Sequence, residues 1–378
     1  MPRFLPTLAL ALALTLLCAV PASAKRTVPK AFFSVVFDGH SSVASVEDQD
    51  EEFGLMATSG VESARVTFPW TALEPNRKKF DFDRTDKTVA AAAKHRIEVL
   101  PAILYTPYWA RAYKKKPYSP PKRVADFNLL LRKVIARYGS SGSFWKQYPD
   151  LPKMPVRYWQ IWNEPNNDIE RYWDAPRNSK YGWPHGYVSL LRSAHKTIHG
   201  ADPRARTVLA GITGIAWLEM RRLYKAGGRN AFDVAALQVY PETVSREVEA
   251  LNRFRQELVR ARDRDVRVWV TEVAFPAAKG KTKPIHKQKQ QTAQGMAAHL
   301  SELYARLGRR RQRWGLDRVY WYTWASRYGK SKSAFDFSGL FASKDDAKRK
   351  PQPAYTAYRR AAQRAEGCVK TVFGICER

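Results

Sequence analysis

Eight short runs of apolar, β-branched and aromatic residues recur along the chain, and most are followed by a stretch with helical periodicity. The predicted strands are Ala31–Asp38, Ser63–Pro69, Glu98–Tyr105, Val156–Trp162, Thr207–Ile212, Val234–Tyr240, Val266–Val273 and Arg318–Trp324. The predicted helices include Thr85–His95, Val124–Arg137, Tyr187–His199, Val244–Arg262, Gln288–Leu307 and Pro353–Ala365. Alternation of strands with helices predicts a parallel sheet, because parallel neighbours need a crossover connection.

The number and character of these units predict one closed barrel. Near-continuous apolar strands fit a sheet that is buried on both faces. Eight strand–helix units in a chain of this length are typical of a (β/α)8 TIM barrel, an α/β fold. The competing fold, a doubly wound open sheet, is disfavoured because no Gly-rich phosphate turn follows the first predicted strand. We therefore assign residues 31–366 to a single barrel domain.

The N-terminus has the pattern of a cleaved signal peptide over residues 1–24. A basic n-region precedes the apolar run Leu8–Val20, and Ala22–Ala24 supplies small residues at a cleavage position. The run is too short for a comfortable transmembrane span. A lipid anchor at Cys18 is the less favoured alternative, because a bulky residue precedes that cysteine. We expect a secreted, monomeric protein without a transmembrane segment, starting with a short arm at 25–30.

The tail at 367–378 carries two cysteines, Cys368 and Cys376. In an oxidising exterior we expect them to form a disulfide, and two free thiols are the alternative. The sequence has no HExxH motif and no Cys/His spacing typical of a zinc site, and its seven histidines are scattered. The motifs therefore predict no metal site.

Two predicted strands end in an acid that is unusual for its position. Glu164 follows the fourth strand, and Glu272 interrupts the apolar end of the seventh. Catalytic residues of such barrels lie at the carboxyl ends of strands, and retaining glycoside cleavage needs two carboxyl groups about 5–5.5 Å apart. From this pattern alone, a structural ion pair explains Glu272 as well as catalysis does. Three other acids after strands, Glu74, Glu242 and Asp336, are expected to be solvated.

The segment Trp162–Asn166 reads Trp-Asn-Glu-Pro-Asn, which resembles the motif of clan A glycoside hydrolases and especially of proteins similar to family 39. Thr271-Glu272 matches the nucleophile position of that clan, and all eight predicted strands fall in the expected order. The resemblance implies a retaining glycosidase that cleaves β-O-glycosidic bonds of a poly- or oligosaccharide. It assigns Glu164 as the acid/base and Glu272 as the nucleophile, with no metal or organic cofactor.

The resemblance also assigns binding roles, one position at a time. Asn163 resembles the Asn that bonds the sugar 2-OH, and Arg65 resembles the second-strand Arg beside the nucleophile. Tyr240 resembles the sixth-strand Tyr that bonds the nucleophile, and Trp324 the eighth-strand Trp that floors the cleavage subsite. Gln238 stands where many clan members have His.

Aromatic residues cluster after the third and fourth predicted strands, and Trp109 is the sugar-binding candidate among them. Apolar C–H faces of sugars stack on such rings, although packing in the core or in a lid explains any single ring equally simply. A ring in this cluster is therefore a binding candidate only through its place near the two glutamates.

The chain is strongly basic, with 65 Lys and Arg against 35 Asp and Glu. Basic stretches follow predicted strands at 114–123, 279–289 and 327–332, where a positive rim would attract an anionic polymer. Arg309–Arg313 is equally basic but belongs to the opposite face, so a general surface bias remains open. No nucleic-acid recognition motif is present. The alternative to a glycosidase is a non-catalytic carbohydrate- or anionic-polymer-binding protein on the same barrel.

Overall fold

Eight parallel strands close into a barrel in chain order, with β8 pairing back to β1. The computed structural model describes residues 25–37, 46–168, 171–282, 289–326, 333–342, 350–367, 370–372 and 375–377. The barrel strands are β1 Phe33–Val36, β2 Ser63–Pro69, β3 Glu98–Leu104, β4 Tyr158–Ile161, β5 Arg206–Val208, β6 Val234–Gln238, β7 Arg267–Val273 and β8 Leu316–Trp321. The predicted (β/α)8 TIM barrel is confirmed.

Helices surround the barrel and connect its strands. They are α1 Val46–Thr58, α2 Trp70–Leu73, α3 Asp83–Lys94, α4 Val124–Tyr138, α5 Ser143–Gln147, α6 His185–Ala201, α7 Ala216–Lys225, α8 Val244–Arg260, α9 Ala293–Trp314 and α10 Pro353–Ala365. Short 3-10 turns lie at Tyr108–Ala110 and Ala334–Phe337, and a C-terminal hairpin joins β9 Lys370–Val372 to β10 Ile375–Glu377. None of the helices in the described ranges is both long and apolar enough to cross a bilayer.

Local sequence signals fix the ends of the long helices. The Thr292 hydroxyl accepts the amide of Gly295 at 3.0 Å at the start of α9, which satisfies an N-terminal donor. Gly315 ends the same helix at φ 63°, a conformation that glycine adopts without a steric penalty. The buried face of α8 repeats at three- and four-residue spacing through Val244, Val248, Leu251, Phe254 and Leu258. Burial of each such side chain contributes about 1.5–3 kcal/mol.

All eight predicted strands are present, but several end earlier than expected. The strand β4 stops at Ile161 because Trp162 adopts φ 75°, and β6 stops at Gln238 rather than at Tyr240. The apolar pattern continues beyond the last residue that pairs with a neighbouring strand. It does so because the segments that follow the strands at the mouth are buried as well. Apolar pattern alone therefore overestimates strand length at the carboxyl ends, where the chain turns to build the mouth.

At the N-terminal end of the barrel, the side chain of Arg318 packs among aromatic rings. The guanidinium of Arg318 lies 4.3 Å from the ring centre of Trp269 and 4.6 Å from that of Tyr158. The same group pairs with Glu98 at 2.8 Å. Ring faces and a carboxylate together compensate the burial of this charge.

The N-terminal arm packs on this barrel. In the arm at 25–30, Arg26 pairs with Glu62, and the amide of Thr27 donates to the carbonyl of Ala365 at 2.8 Å. Cys368 lies outside the described residues. Cys376 belongs to β10, but the structure does not describe its side chain. The disulfide therefore stays a prediction.

Candidate active site

The segment after β4 makes a sharp turn at the mouth of the barrel. Trp162 and Glu164 both adopt positive φ, 75° and 40°, which is costly for residues other than glycine. The turn is held by the buried indole of Trp162, which donates to the carbonyl of Tyr172 at 2.6 Å. The strained backbone aims the side chain of Glu164 into the mouth instead of along the strand.

Glu272, in β7, accepts hydrogen bonds from at least three described side chains. Arg65 donates to its Oε1 at 2.7 Å, and the amide of Gln238 donates to the same oxygen at 3.0 Å. The hydroxyl of Tyr240 donates to Oε2. The carboxylate is only 9% exposed, so a cation and two further donors are needed to offset its desolvation. This environment stabilises the ionised form of Glu272.

Arg65 organises the polar interior of the mouth. Its Nε donates to Gln160 at 2.5 Å and its Nη2 to the Oδ1 of Asn163 at 2.7 Å, in addition to the Nη1 bond to Glu272. The planar guanidinium fork thus fixes three side chains at once, two from β4 and the turn after it and one from β7. Gln238 donates to the same Asn163 oxygen at 3.0 Å. Two donors on Oδ1 orient the Asn163 carboxamide.

Glu164 has the opposite electrostatic environment. Burial raises the pKa of this carboxyl to about 8, and the negative charge of neighbouring Glu272 adds to the shift. The hydrogen bond from Asn167 to Oε2 at 2.5 Å, the charge of Arg65 and a hydrogen bond with Thr213 lower this pKa and act in the opposite direction. Burial and the neighbouring carboxylate thus favour the protonated form of Glu164, whereas the contact with Arg65 favours the ionised form of Glu272. The mouth holds one acid and one carboxylate side by side.

Aromatic rings line two sides of this carboxyl pair. On one side Tyr240 contacts Tyr322 and Phe335, with ring centres 5.8 and 4.5 Å apart. On the other, Tyr172 contacts Tyr105 at 6.5 Å, and burial together with the charges of both glutamates raises the pKa of Tyr172. A cleft with charged groups at its centre and rings at its sides suits a ligand that has both polar and C–H faces.

The predicted role of Trp324 is wrong. Its side chain is fully buried, donates to Glu52 at 2.6 Å and packs against Phe341 at 4.9 Å between ring centres, so no ligand in the mouth can stack on it. Tyr322, two residues earlier, is the eighth-strand ring that meets the site. The prediction failed because the strand ends at Trp321, and alternation no longer determines which face later side chains take.

Two further predicted residues have structural contacts. The indole of Trp109 donates to the carbonyl of Glu74 at 3.1 Å and meets the ring of Trp70 edge-on at 5.8 Å, so packing occupies part of its surface. Glu74 was expected to be solvated and is instead fully buried. Its carboxylate accepts bonds from Trp70 at 2.9 Å and from the amide of Lys78 at 2.7 Å, which satisfies it within its own turn.

Sequence analysis did not single out several residues that complete the site. They are Gln160, Asn167 and Tyr322, whereas Tyr172 belongs to the aromatic cluster that was predicted after the fourth strand. For Gln160 a signal existed, because a polar residue in the middle of a buried apolar strand must find partners inside the barrel. The basic rim is only partly described, since 283–288 and 327–332 lie outside the described residues.

Comparison by sequence finds one family model. A beta-galactosidase family, glycoside hydrolase family 42, matches residues 42–113. That span contains β2, β3 and Arg65 but neither of the two glutamates. No curated protein matches the chain.

Comparison by structure finds glycosidases. The chain is similar to a family 39 glycoside hydrolase from the gut symbiont Bacteroides cellulosilyticus WH2, with a TM-score of 0.63 and 18% identity over 89% of this chain and 64% of that one. It is similar to a monomeric beta-xylosidase from Caulobacter crescentus CB15, with a TM-score of 0.63 and 15% identity over 89% of this chain and 69% of that one. It is also similar to a GH5_18 protein from Bifidobacterium longum subsp. infantis, with a TM-score of 0.64 and 14% identity over 89% of this chain and 79% of that one. The chain thus spans under two thirds of the Bacteroides chain. At such identities, these likenesses establish the barrel fold.

Proposed function

We propose that this protein is a secreted retaining glycoside hydrolase that cleaves β-O-glycosidic bonds of a poly- or oligosaccharide by double displacement. The observation that carries the proposal is the unequal environment of two neighbouring carboxyl groups in one cleft. Burial raises the pKa of Glu164 to about 8, whereas Arg65 contacts Glu272 at 2.7 Å. A retaining glycosidase needs this division into a protonated acid and an ionised nucleophile.

In the first step, the Glu272 carboxylate attacks the anomeric carbon while Glu164 gives its proton to the glycosidic oxygen. The bond from the anomeric carbon to that oxygen breaks, the leaving sugar departs, and a glycosyl ester forms on Glu272. In the second step, Glu164 takes a proton from water as the water oxygen attacks the anomeric carbon. The ester bond breaks, and the sugar leaves with its original configuration.

The surrounding polar groups serve these steps by position. Arg65, Gln238 and Tyr240 hold the Glu272 carboxylate in one orientation, so little reorganisation is needed when it attacks. Asn163 has its Oδ1 fixed by two donors, and its amino group donates to the sugar 2-OH, a bond that strengthens in the transition state. Gln238 thereby does the orienting work that a His does in many similar proteins.

The β configuration of the substrate is supported by the neighbours. One similar structure is a beta-xylosidase, and the matching family model is a beta-galactosidase family. The rings of Tyr322 and Tyr172 flank the two carboxyl groups and supply stacking surfaces for sugar C–H faces. These rings, and not Trp109 or Trp324, are the proposed subsite walls.

Activity on a panel of β-linked aryl glycosides and polysaccharides, neutral and acidic, tests the proposal. Proton NMR of the first-formed product identifies the anomer that is released. We expect release of the β-anomer before mutarotation. A first-formed α-anomer would overturn the retaining mechanism, and absence of turnover on all substrates that bind would overturn the enzyme itself.

A binding protein on the same barrel is the second candidate. It is favoured by Tyr108, which is 64% exposed near the mouth and has the Lys114 ammonium 5.0 Å from its ring centre. Such a protein would bind an anionic glycan in a salt-sensitive manner, and the double variant Glu164→Ala/Glu272→Ala would bind as tightly as the unchanged protein. For the glycosidase, we expect the Asn163→Ala variant to lose turnover more than substrate affinity.

The proposed export rests on the pattern of residues 1–24, which lie outside the described residues. Mass spectrometry of the protein from culture medium should give a chain that begins near Lys25. A lipid-modified Cys18 would contradict release into the medium.

A further inference from the structure

Three potential ligand side chains meet on the face of the barrel opposite the mouth. His195 and His199 lie one turn apart near the end of α6, and Asp233 directly precedes β6. One ring nitrogen from each histidine and one carboxylate oxygen of Asp233 all lie within 4.8 Å of one another. Spacing of four residues puts two helical side chains on the same face, and the ring centres are 4.4 Å apart. The third group comes from a different part of the chain.

The distances among these groups match a tetrahedral ion. The Oδ2 of Asp233 lies 2.9 Å from the Nε2 of His199 and 3.7 Å from the Nδ1 of His195. Bonds of about 2.0–2.2 Å to a tetrahedral Zn²⁺ put neighbouring ligand atoms about 3.3–3.5 Å apart. The two distances from Asp233 lie on either side of this value, and the bound of 4.8 Å on all pairs leaves the three groups within reach of one ion after small side-chain rotations.

The surroundings fix the carboxylate and place the hydroxyl of Thr207 at 3.1 Å from Nδ1 of His195. The backbone amide of Thr207 donates to Oδ2 of Asp233 at 2.6 Å, which holds the carboxylate independently of the histidines. The three side chains are 22%, 32% and 23% exposed, so a water molecule has access as a fourth ligand. Two nearby cations, Arg192 and Arg206, donate to backbone carbonyls.

We propose that His195, His199 and Asp233 form a binding site for a divalent transition metal, with Zn²⁺ the best match. Two imidazoles and one carboxylate select Zn²⁺ and its neighbours over Mg²⁺ and Ca²⁺, which prefer oxygen ligands. The site lies on the N-terminal face, where residues of such barrels serve stability, and it joins α6 to the starts of β5 and β6. The bound ion therefore cross-links and stabilises this face and does not take part in turnover.

The test uses the full-length mature protein without a polyhistidine tag, treated with EDTA and dialysed, with its cysteines alkylated. Isothermal titration with ZnCl₂ and the visible spectrum with CoCl₂ give the stoichiometry and geometry. We expect one ion per chain, a tetrahedral cobalt spectrum and a higher thermal midpoint with Zn²⁺. We expect no such effect with MgCl₂.

Two ligand variants, His195→Ala and His199→Ala, should weaken Zn²⁺ binding by at least about tenfold, since even indirect partners of a ligand cost about 10–100-fold. Asp233→Asn keeps an acceptor for Thr207 and should give the same loss. His95→Ala is the matched control, because His95 pairs with a single carboxylate, that of Asp50, at 2.8 Å and has no second imidazole in that pair.

Equal Zn²⁺ binding in the ligand variants and in the His95→Ala control would overturn the proposal. So would Zn²⁺ binding no tighter than that of Mg²⁺, a result that needs no variant and no assumption about folding. Glycosidase activity of His199→Ala should be unchanged with or without Zn²⁺, so the outcome does not depend on the proposed function.

Discussion

Two arginines are buried inside the same barrel, and their surroundings differ in a way that separates function from stability. Arg318, near the N-terminal end, lies against the faces of two aromatic rings and pairs with Glu98 at 2.8 Å. Arg65, near the mouth, donates to the polar side chains of Gln160 and Asn163 and pairs with Glu272 at 2.7 Å. Both charges are compensated, but only the partner of Arg65 shares a cleft with a second carboxyl group.

The comparison shows what makes a buried ion pair available for chemistry. The guanidinium of Arg318 packs against two aromatic rings, which stabilise its charge but offer no group that could take part in a reaction. The pair of Arg65 holds its carboxylate from one side, with Gln238 and Tyr240, while Glu164 faces the same space as a neutral acid. The role of a buried ion pair therefore depends on what its carboxylate faces on the side away from the arginine. A carboxylate that faces a second carboxyl group in a cleft is available for chemistry, and one that is packed against the protein is structural.

The largest expected effect comes from removing the two carboxyl groups. Glu272→Ala should lower kcat by on the order of 10⁴-fold or more, because no carboxylate remains to form the glycosyl ester. Glu164→Ala should spare an aryl glycoside with a good leaving group, which needs no proton in the first step. Added azide should then restore turnover of Glu164→Ala with retained configuration. Equal and unrescued losses in both variants would contradict the assignment of roles.

The same substitution at the two arginines tests the comparison itself. Arg65→Lys keeps the charge but loses the fork that orients Glu272 and Asn163, and kcat should fall about 10²–10³-fold. Arg318→Lys should lower the free energy of unfolding by about 1–3 kcal/mol through lost ring packing, with kcat per folded molecule unchanged. Kinetics and chemical denaturation of both variants provide the measurement. A large kcat loss in Arg318→Lys would abolish the distinction.

The electrostatic coupling of the glutamates gives a prediction in pH. Glu164 acts as an acid only while protonated, so kcat/KM should fall as the pH rises through about 8, the raised pKa of this carboxyl. Glu272→Gln removes a neighbouring negative charge and should lower the pKa of Glu164. Burial, the larger cause, should keep that pKa above 4.5. Carbon-13 NMR titration of labelled glutamate reads the shift, and an unchanged pKa would show that the two groups do not interact.

Another buried carboxyl group, that of Glu247 in α8, shows what happens without a hydrogen-bond donor or a cation among the described residues. Neither oxygen of Glu247 has a hydrogen-bond partner among the described residues, and burial raises its pKa to about 8. Because the folded-state pKa is raised, this group favours folding most below pH 4.5, and that contribution is lost as the pH rises toward 8.

Replacement of this unpaired group should stabilise the protein at neutral pH. We expect Glu247→Met to raise the free energy of unfolding at pH 7 by about 2–3 kcal/mol and to have little effect at pH 4. Glu249→Gln, at an exposed position two residues away that pairs with Arg253 at 2.7 Å, is the control and should change stability by less than about 0.5 kcal/mol. Denaturation at both pH values would decide, and a gain that does not depend on pH would point to packing alone.

Much of the fold followed from the sequence because buried parallel strands tolerate few polar residues. The apolar runs predicted all eight barrel strands, and Ser63–Pro69 and Pro353–Ala365 match residue for residue. The roles of the two glutamates were predicted mainly from the Trp162–Asn166 motif and less from the apolar pattern of the strands. An acid that follows a strand can be solvated, structural or catalytic, so its position alone does not assign a role. Closure of the barrel brings the two carboxyl groups together, and local sequence patterns do not predict contacts between segments so far apart in the chain.

The tertiary structure alone decided where individual side chains face once the strands end. Tyr322 and Trp324 are two residues apart and both aromatic. Tyr322 contacts Tyr240 in the cleft, whereas Trp324 is buried and donates to Glu52 of α1. His195 and His199 are close in sequence, but their carboxylate, Asp233, arrives from the start of another strand. Sequence determined the periodic elements because periodicity is local and fixed by backbone geometry. Contacts between distant segments depend on how the closed barrel orients its loops, so they required the folded structure.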